Sequence, residues 1–61
     1  MQVAFIKTQT VSDTKYVDLI EVDGKMYTFL MKKSAEPNLF DVEKREDGDT
    51  FDNMISENSG G

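Results

Sequence analysis

A chain of 61 residues makes one domain at most, near the lower limit for folding alone, since such a domain buries only roughly 60% of the surface its unfolded chain exposes. It has no cysteine and no histidine, which removes disulfides, thiol nucleophiles, serine–histidine catalysis and the usual zinc ligands. The formal charge of −5 is uneven: residues 1–33 carry four carboxylates against five lysines, and residues 34–61 carry eight against Lys44 and Arg45.

In chain order, residues 2–11 mix β-branched and apolar residues with polar ones and predict a first strand. Ser12-Asp13 predicts a two-residue turn, because both side chains can bond the local backbone. Residues 15–22 predict a second strand and residues 25–33 a third. Between them Asp23-Gly24 is a strong hairpin signal, both positions tolerating φ > 0. With two such turns Val22 faces Lys25 and Ile20 faces Tyr27. One sheet face then collects Val3, Phe5, Tyr16, Ile20, Val22, Tyr27, Phe29 and Met31. The other collects Ala4, Ile6, Val17, Leu19, Met26 and Leu30. Both faces are apolar, so both require cover.

Ser34 to Asn38 form a break around Pro37, which lacks an amide proton and holds Glu36 extended. Leu39 to Glu46 predict a fourth strand, with Phe40 and Val42 on one side and Asp41 and Glu43 on the other. Asp47-Gly48 ends it. Asp49 then has the chemistry to cap a short helix, and Phe51, Met54 and Ile55 form one apolar stripe on that helix. The expected architecture is α+β, mainly β: an antiparallel three- to four-stranded meander with a short C-terminal helix. Residues 1–58 form the domain and 59–61 a flexible tail. The helix covers one sheet face, and a second copy is expected to cover the other, giving a homodimer.

Residues 1–7 have neither the basic region nor the apolar run of a signal peptide, and no stretch approaches the ~20 apolar residues of a membrane span. With no cysteine, the expected setting is the cytoplasm, the host's if the chain is viral. Asp47-Gly48-Asp49 resembles the start of a calcium loop, but the ligand spacing fails and the twelfth position is Asn58, so no metal and no cofactor are expected. Paired carboxylates need a pocket to shift a pKa, which a thin core does not offer, so no catalytic residues and no enzyme activity are expected.

Met1-Gln2, Phe5-Ile6-Lys7-Thr8 and Gly60-Gly61 resemble the ends of ubiquitin, over less than a sixth of the chain. That family needs a long helix after its first hairpin. Here Asp23-Gly24 and a third strand stand in its place, so nothing is carried over.

The acidic half supports a sharper expectation. Alternate strand residues lie about 6.6–6.8 Å apart, of the order of successive phosphates on a DNA strand. Asp41 and Glu43 project together at that spacing, and Glu46, Asp47, Asp49 and Asp52 continue the run. Carboxylates so placed can stand in for phosphates before the Lys and Arg of a DNA-binding protein. The composition of residues 41–57 resembles that of small acidic DNA-mimic inhibitors of bacteriophages and mobile elements. The resemblance implies a basic DNA-binding partner, such as a nucleoid protein of the HU kind. The alternative is an interaction module that binds a protein or peptide through its apolar sheet face or a free edge, with Tyr16, Tyr27, Phe29 and Met31 supplying affinity. Direct nucleic-acid binding by Lys7, Lys15, Lys25, Lys32 and Lys33 is opposed by the net charge, and no membrane partner is expected.

Overall fold

The computed structural model describes residues 1–59 and contains four strands in chain order followed by one helical segment. Strands β1 (Val3–Thr10), β2 (Lys15–Val22), β3 (Lys25–Lys33) and β4 (Phe40–Asp47) pair in the order β1-β2-β3-β4, every neighbour antiparallel. A 3-10 turn (Gly48–Thr50) leads directly into helix α1 (Phe51–Asn58). The meander with a short C-terminal helix is as the strand formers and turn residues predict. The fourth strand begins and ends one residue later than expected. Of the expected flexible tail, Gly60 and Gly61 lie outside the described residues.

The β2–β3 turn has the predicted chemistry. Asp23 (φ 50°) and Gly24 (φ 84°) both take positive φ, and Val22 pairs with Lys25 and Ile20 with Tyr27. The Asp23 carboxylate also accepts the Gln2 amide at 2.7 Å, and the Asp23 amide donates to the Gln2 carbonyl at 2.9 Å, tying β1 to this turn.

The first turn is longer than expected. Val11 to Thr14 separate β1 from β2, with the Val11 amide bonded to the Lys15 carbonyl and the Thr14 amide to Ser12 Oγ. The two added residues are partly offset inside β1. Phe5 pairs with Ile20 and Lys7 with Leu19, leaving Ile6 as the bulged residue. Because side-chain direction alternates along a strand, the bulge reverses the parity of β1. Val3 and Phe5 lie on one face, and beyond Ile6 that same face takes Thr8 and Thr10.

The core lies on the other face. Val17, Leu19 and Leu30 meet Phe51 and Met54 of α1 and Val11 of the first turn, with Met26 and Ile55 packed alongside. Thr28 sits among them, fully buried, its hydroxyl donating to the Gly48 carbonyl at 3.4 Å. An eight-residue helix is too short to persist alone, so this docking is what holds it. Gly48 makes the docking possible: a Cβ there would lie 2.3 Å from the Cβ of Met26. Among the described residues no helix is long and apolar enough to cross a membrane.

Candidate functional site

The acidic residues singled out above lie on β4, the 3-10 turn and the start of α1. Register assigns the β4 residues to faces. Asp41 pairs with Lys32, Lys44 with Leu30 and Glu46 with Thr28, which places all three on the side carrying the helix. Asp47 pairs with Tyr27 and lies on the opposite face. Between Val42, opposite Met31, and Lys44, opposite Leu30, Glu43 is the bulged residue. Its carboxylate meets Lys15 Nζ at 3.0 Å, on the helix side of the sheet. Asp49 and Asp52, in the 3-10 turn and the first turn of α1, are exposed.

Five of the six carboxylates therefore share one side of the molecule, and Asp47 does not. The bulge interrupts the even two-residue step expected from Asp41 through Glu43. Four cations stand among the five. Lys15 pairs with Glu43, Lys44 Nζ lies 3.4 Å from Glu46 Oε1, Lys32 is the register partner of Asp41, and Lys7 sits 4.5 Å over the Phe51 ring. Both ion pairs are solvent-accessible, a setting in which a pair contributes about 0–1 kcal/mol and exchanges readily.

The expected cap does not form. Thr50, not Asp49, precedes α1, and neither Thr50 nor Asp47 makes a side-chain bond to the first free amides. The chain enters the helix through the 3-10 turn that Gly48 permits, and Thr50 Oγ1 donates backwards to the Asp47 carbonyl at 2.6 Å. The Asp49 carboxylate is thus left without a backbone role and remains free for solvent or a partner. Among the described residues no three candidate ligands converge on a point that could hold a metal.

The face away from the helix has a different character. It carries Val3, Phe5, Tyr16, Ile20, Val22, Tyr27, Phe29, Met31, Phe40 and Val42, and among the described residues no element lies over it. Phe5 is 71% exposed, Val42 54%, Val3 49% and Phe40 44%. Tyr16 meets the Phe40 ring edge-on at 5.0 Å, and Arg45 lies 5.8 Å over the Tyr27 ring. In its midst Asp18 is buried, its carboxylate accepting the Thr8 hydroxyl at 2.5 Å. Asp18 and the bulges were not singled out from sequence. The available signal was an acid inside an apolar strand, on the face that Tyr16 and Ile20 share. An open depression of about 350 Å³ at the Gln2–Ala4 end is lined by one carboxylate, Glu21, without a second titratable group.

Compared with protein-family models, with characterised proteins and with solved structures, the chain matches none.

Proposed function

We propose that this chain is a non-enzymatic binding protein that occupies the DNA-contact surface of a basic protein, with carboxylates in the positions of phosphates. The observation that carries the reading is the clustering of five of the six candidate carboxylates on one side. Asp41, Glu43, Glu46, Asp49 and Asp52 share the helix-bearing side with Lys7, Lys15, Lys32 and Lys44, while Asp47 lies on the opposite face with Asp18, Lys25, Lys33 and Arg45. Clustered carboxylates attract the cations of a basic partner, and the exposed pairs with Lys15 and Lys44 can exchange for those cations. A nucleoid protein that reads backbone and shape is the class of target such a surface suits, because carboxylates imitate phosphate charge and carry no base pattern.

The test replaces Asp41→Asn, Glu43→Gln, Asp49→Asn and Asp52→Asn together, and Asp47→Asn alone as the opposite-face control. Competition is measured between the protein and a DNA duplex for an HU-type protein. The quadruple variant should lose at least tenfold in inhibition and the control little. Equal inhibition by wild type and quadruple variant would remove the reading.

A second reading rests on the open sheet face, which presents an apolar surface to a protein or peptide. Salt separates the two. Charge-driven binding weakens as the Debye length falls from ~10 Å at 0.1 M to ~3 Å at 1 M, whereas apolar binding persists.

A further inference from the structure

We propose that the open face of the sheet is the contact surface for a second copy of this chain, the two sheets stacking face to face about a two-fold axis. The inference concerns the face opposite the acidic residues and stands independently of what they bind.

Three observations select this occupant. The first is charge. The open face holds Lys25, Lys33 and Arg45 against Asp18 and Asp47, while the chain as a whole is at −5. Two copies meeting here bring together near-neutral surfaces and turn their acidic sides outward.

The second is the state of the edges. Both edge strands are bulged, β1 at Ile6 and β4 at Glu43, and β4 also carries charge at Asp41, Lys44, Arg45 and Glu46. Bulged and charged edges are poor templates for adding a strand from another chain, which leaves the face as the adhesive surface.

The third is area. Four strands about 4.8 Å apart, three of eight residues and β3 of nine, each residue rising ~3.3 Å, present a flat area of about 500 Å² per copy. Two copies cover about 1,000 Å², the lower bound for a specific interface, before side-chain relief adds to it. Sheets stacked ~10 Å apart would make an interior of Ile20, Tyr27, Phe29 and Met31, which a single chain leaves half-buried.

The layout of the face also indicates the axis. Val3 and Phe5 occupy one corner, and Phe40 and Val42 the corner diagonally across from it. Thr8 with Thr10, and Arg45 with Asp47, fill the remaining two corners. A two-fold axis along the apolar diagonal sets each apolar corner on its own copy. It also sets the threonine corner over the Arg45–Asp47 corner of the other copy, so the Arg45–Asp47 corners of the two copies do not meet.

Sedimentation equilibrium of the full chain from 1 to 500 μM tests this, with the double variant Phe5→Lys, Val42→Lys and the acidic-side control Asp52→Asn. Wild type and control should give twice the chain mass of 6.9 kDa, and the double variant should dissociate at least 100-fold more readily. Both replaced side chains are more than half exposed in the single chain, so circular dichroism of the variant should keep the strand signal. A second measurement needs no variant. In an equal mixture of isotope-labelled and unlabelled wild type, contacts between chains should appear at the Val42 methyls and the Phe5 ring. Three results would overturn the proposal: a wild-type monomer at 500 μM, a dimer of undiminished affinity in the folded double variant, or inter-chain contacts confined to α1 or the edges.

Discussion

The Thr8 hydroxyl donates to the Asp18 carboxylate at 2.5 Å, from edge strand β1 to β2 on the apolar face. Asp18 is only 6% exposed, so the threonine supplies a partner that water cannot readily replace.

Thr8→Val keeps the shape of that side chain and removes the donor. It should cost about 1–3 kcal/mol, the range for leaving a buried polar group unsatisfied. Asp18→Asn should cost less, since the amide oxygen still accepts the hydroxyl. Urea unfolding of both single variants and the double variant measures the coupling. Additive costs would mean that the bond contributes nothing.

Met54 is the most buried residue of α1, at 1% exposure, and meets the core from the helix side. Met54→Ala should cost about 2–5 kcal/mol. A domain of 61 residues has a total stability of about 3–9 kcal/mol at 0.05–0.15 kcal/mol per residue, so the variant should melt far lower or lose its cooperative transition. Ile55→Ala, at a half-buried position, should be milder. Differential scanning calorimetry distinguishes the two.

The two turn glycines should respond differently to asparagine. Gly24 has φ +84° and open space around it, and asparagine tolerates that conformation, so Gly24→Asn should change stability by less than about 1 kcal/mol. Gly48→Asn must force its Cβ against Met26, and should cost about 1–3 kcal/mol as overpacking does. Thermal melts that rank the variants the other way would contradict this account of the 3-10 turn.

Tyr16 provides a pH dependence. Burial, and then the negative charge of Asp18 beside it, raise its pKa above 10.0. The folded chain therefore holds this proton more tightly than the unfolded chain does. The resulting stability is complete below pH ~10 and is lost as pH rises through the folded value. Urea midpoints at pH 8, 10 and 11 should fall more steeply for wild type than for Tyr16→Phe. Parallel curves would show that Tyr16 is not the group responsible.

Local signals of sufficient strength were legible in the sequence. Asp23-Gly24 determined the β2–β3 register, and the spacing of Phe51, Met54 and Ile55 placed the helix and its buried side. Apolar residues of both parities on β2 and β3 implied one face under the helix and one without cover. What stayed hidden depended on a long-range fit. Ser12-Asp13 is compatible with a two- or a four-residue connection, and the difference appears only where Ile6 steps out of the ladder. The acidic run was legible as composition but not as geometry, because the bulge at Glu43 and the parity of Asp47 follow from pairing with β3. The Asp49 cap failed because the docking of Gly48 on Met26, absent from any local pattern, selected a 3-10 entry.

Ile6 has a consequence for chain length. Phe5 already pairs with Ile20 and Lys7 with Leu19, so excising Ile6 would leave every partner in β1 unchanged. What would change is the outer rim. An interrupted row of amides and carbonyls would become continuous over seven residues, open to the same strand of another molecule and then to the next. A deletion that leaves the β1 pairing intact would thus open an edge-to-edge route to fibres, which the bulge at Ile6 interrupts.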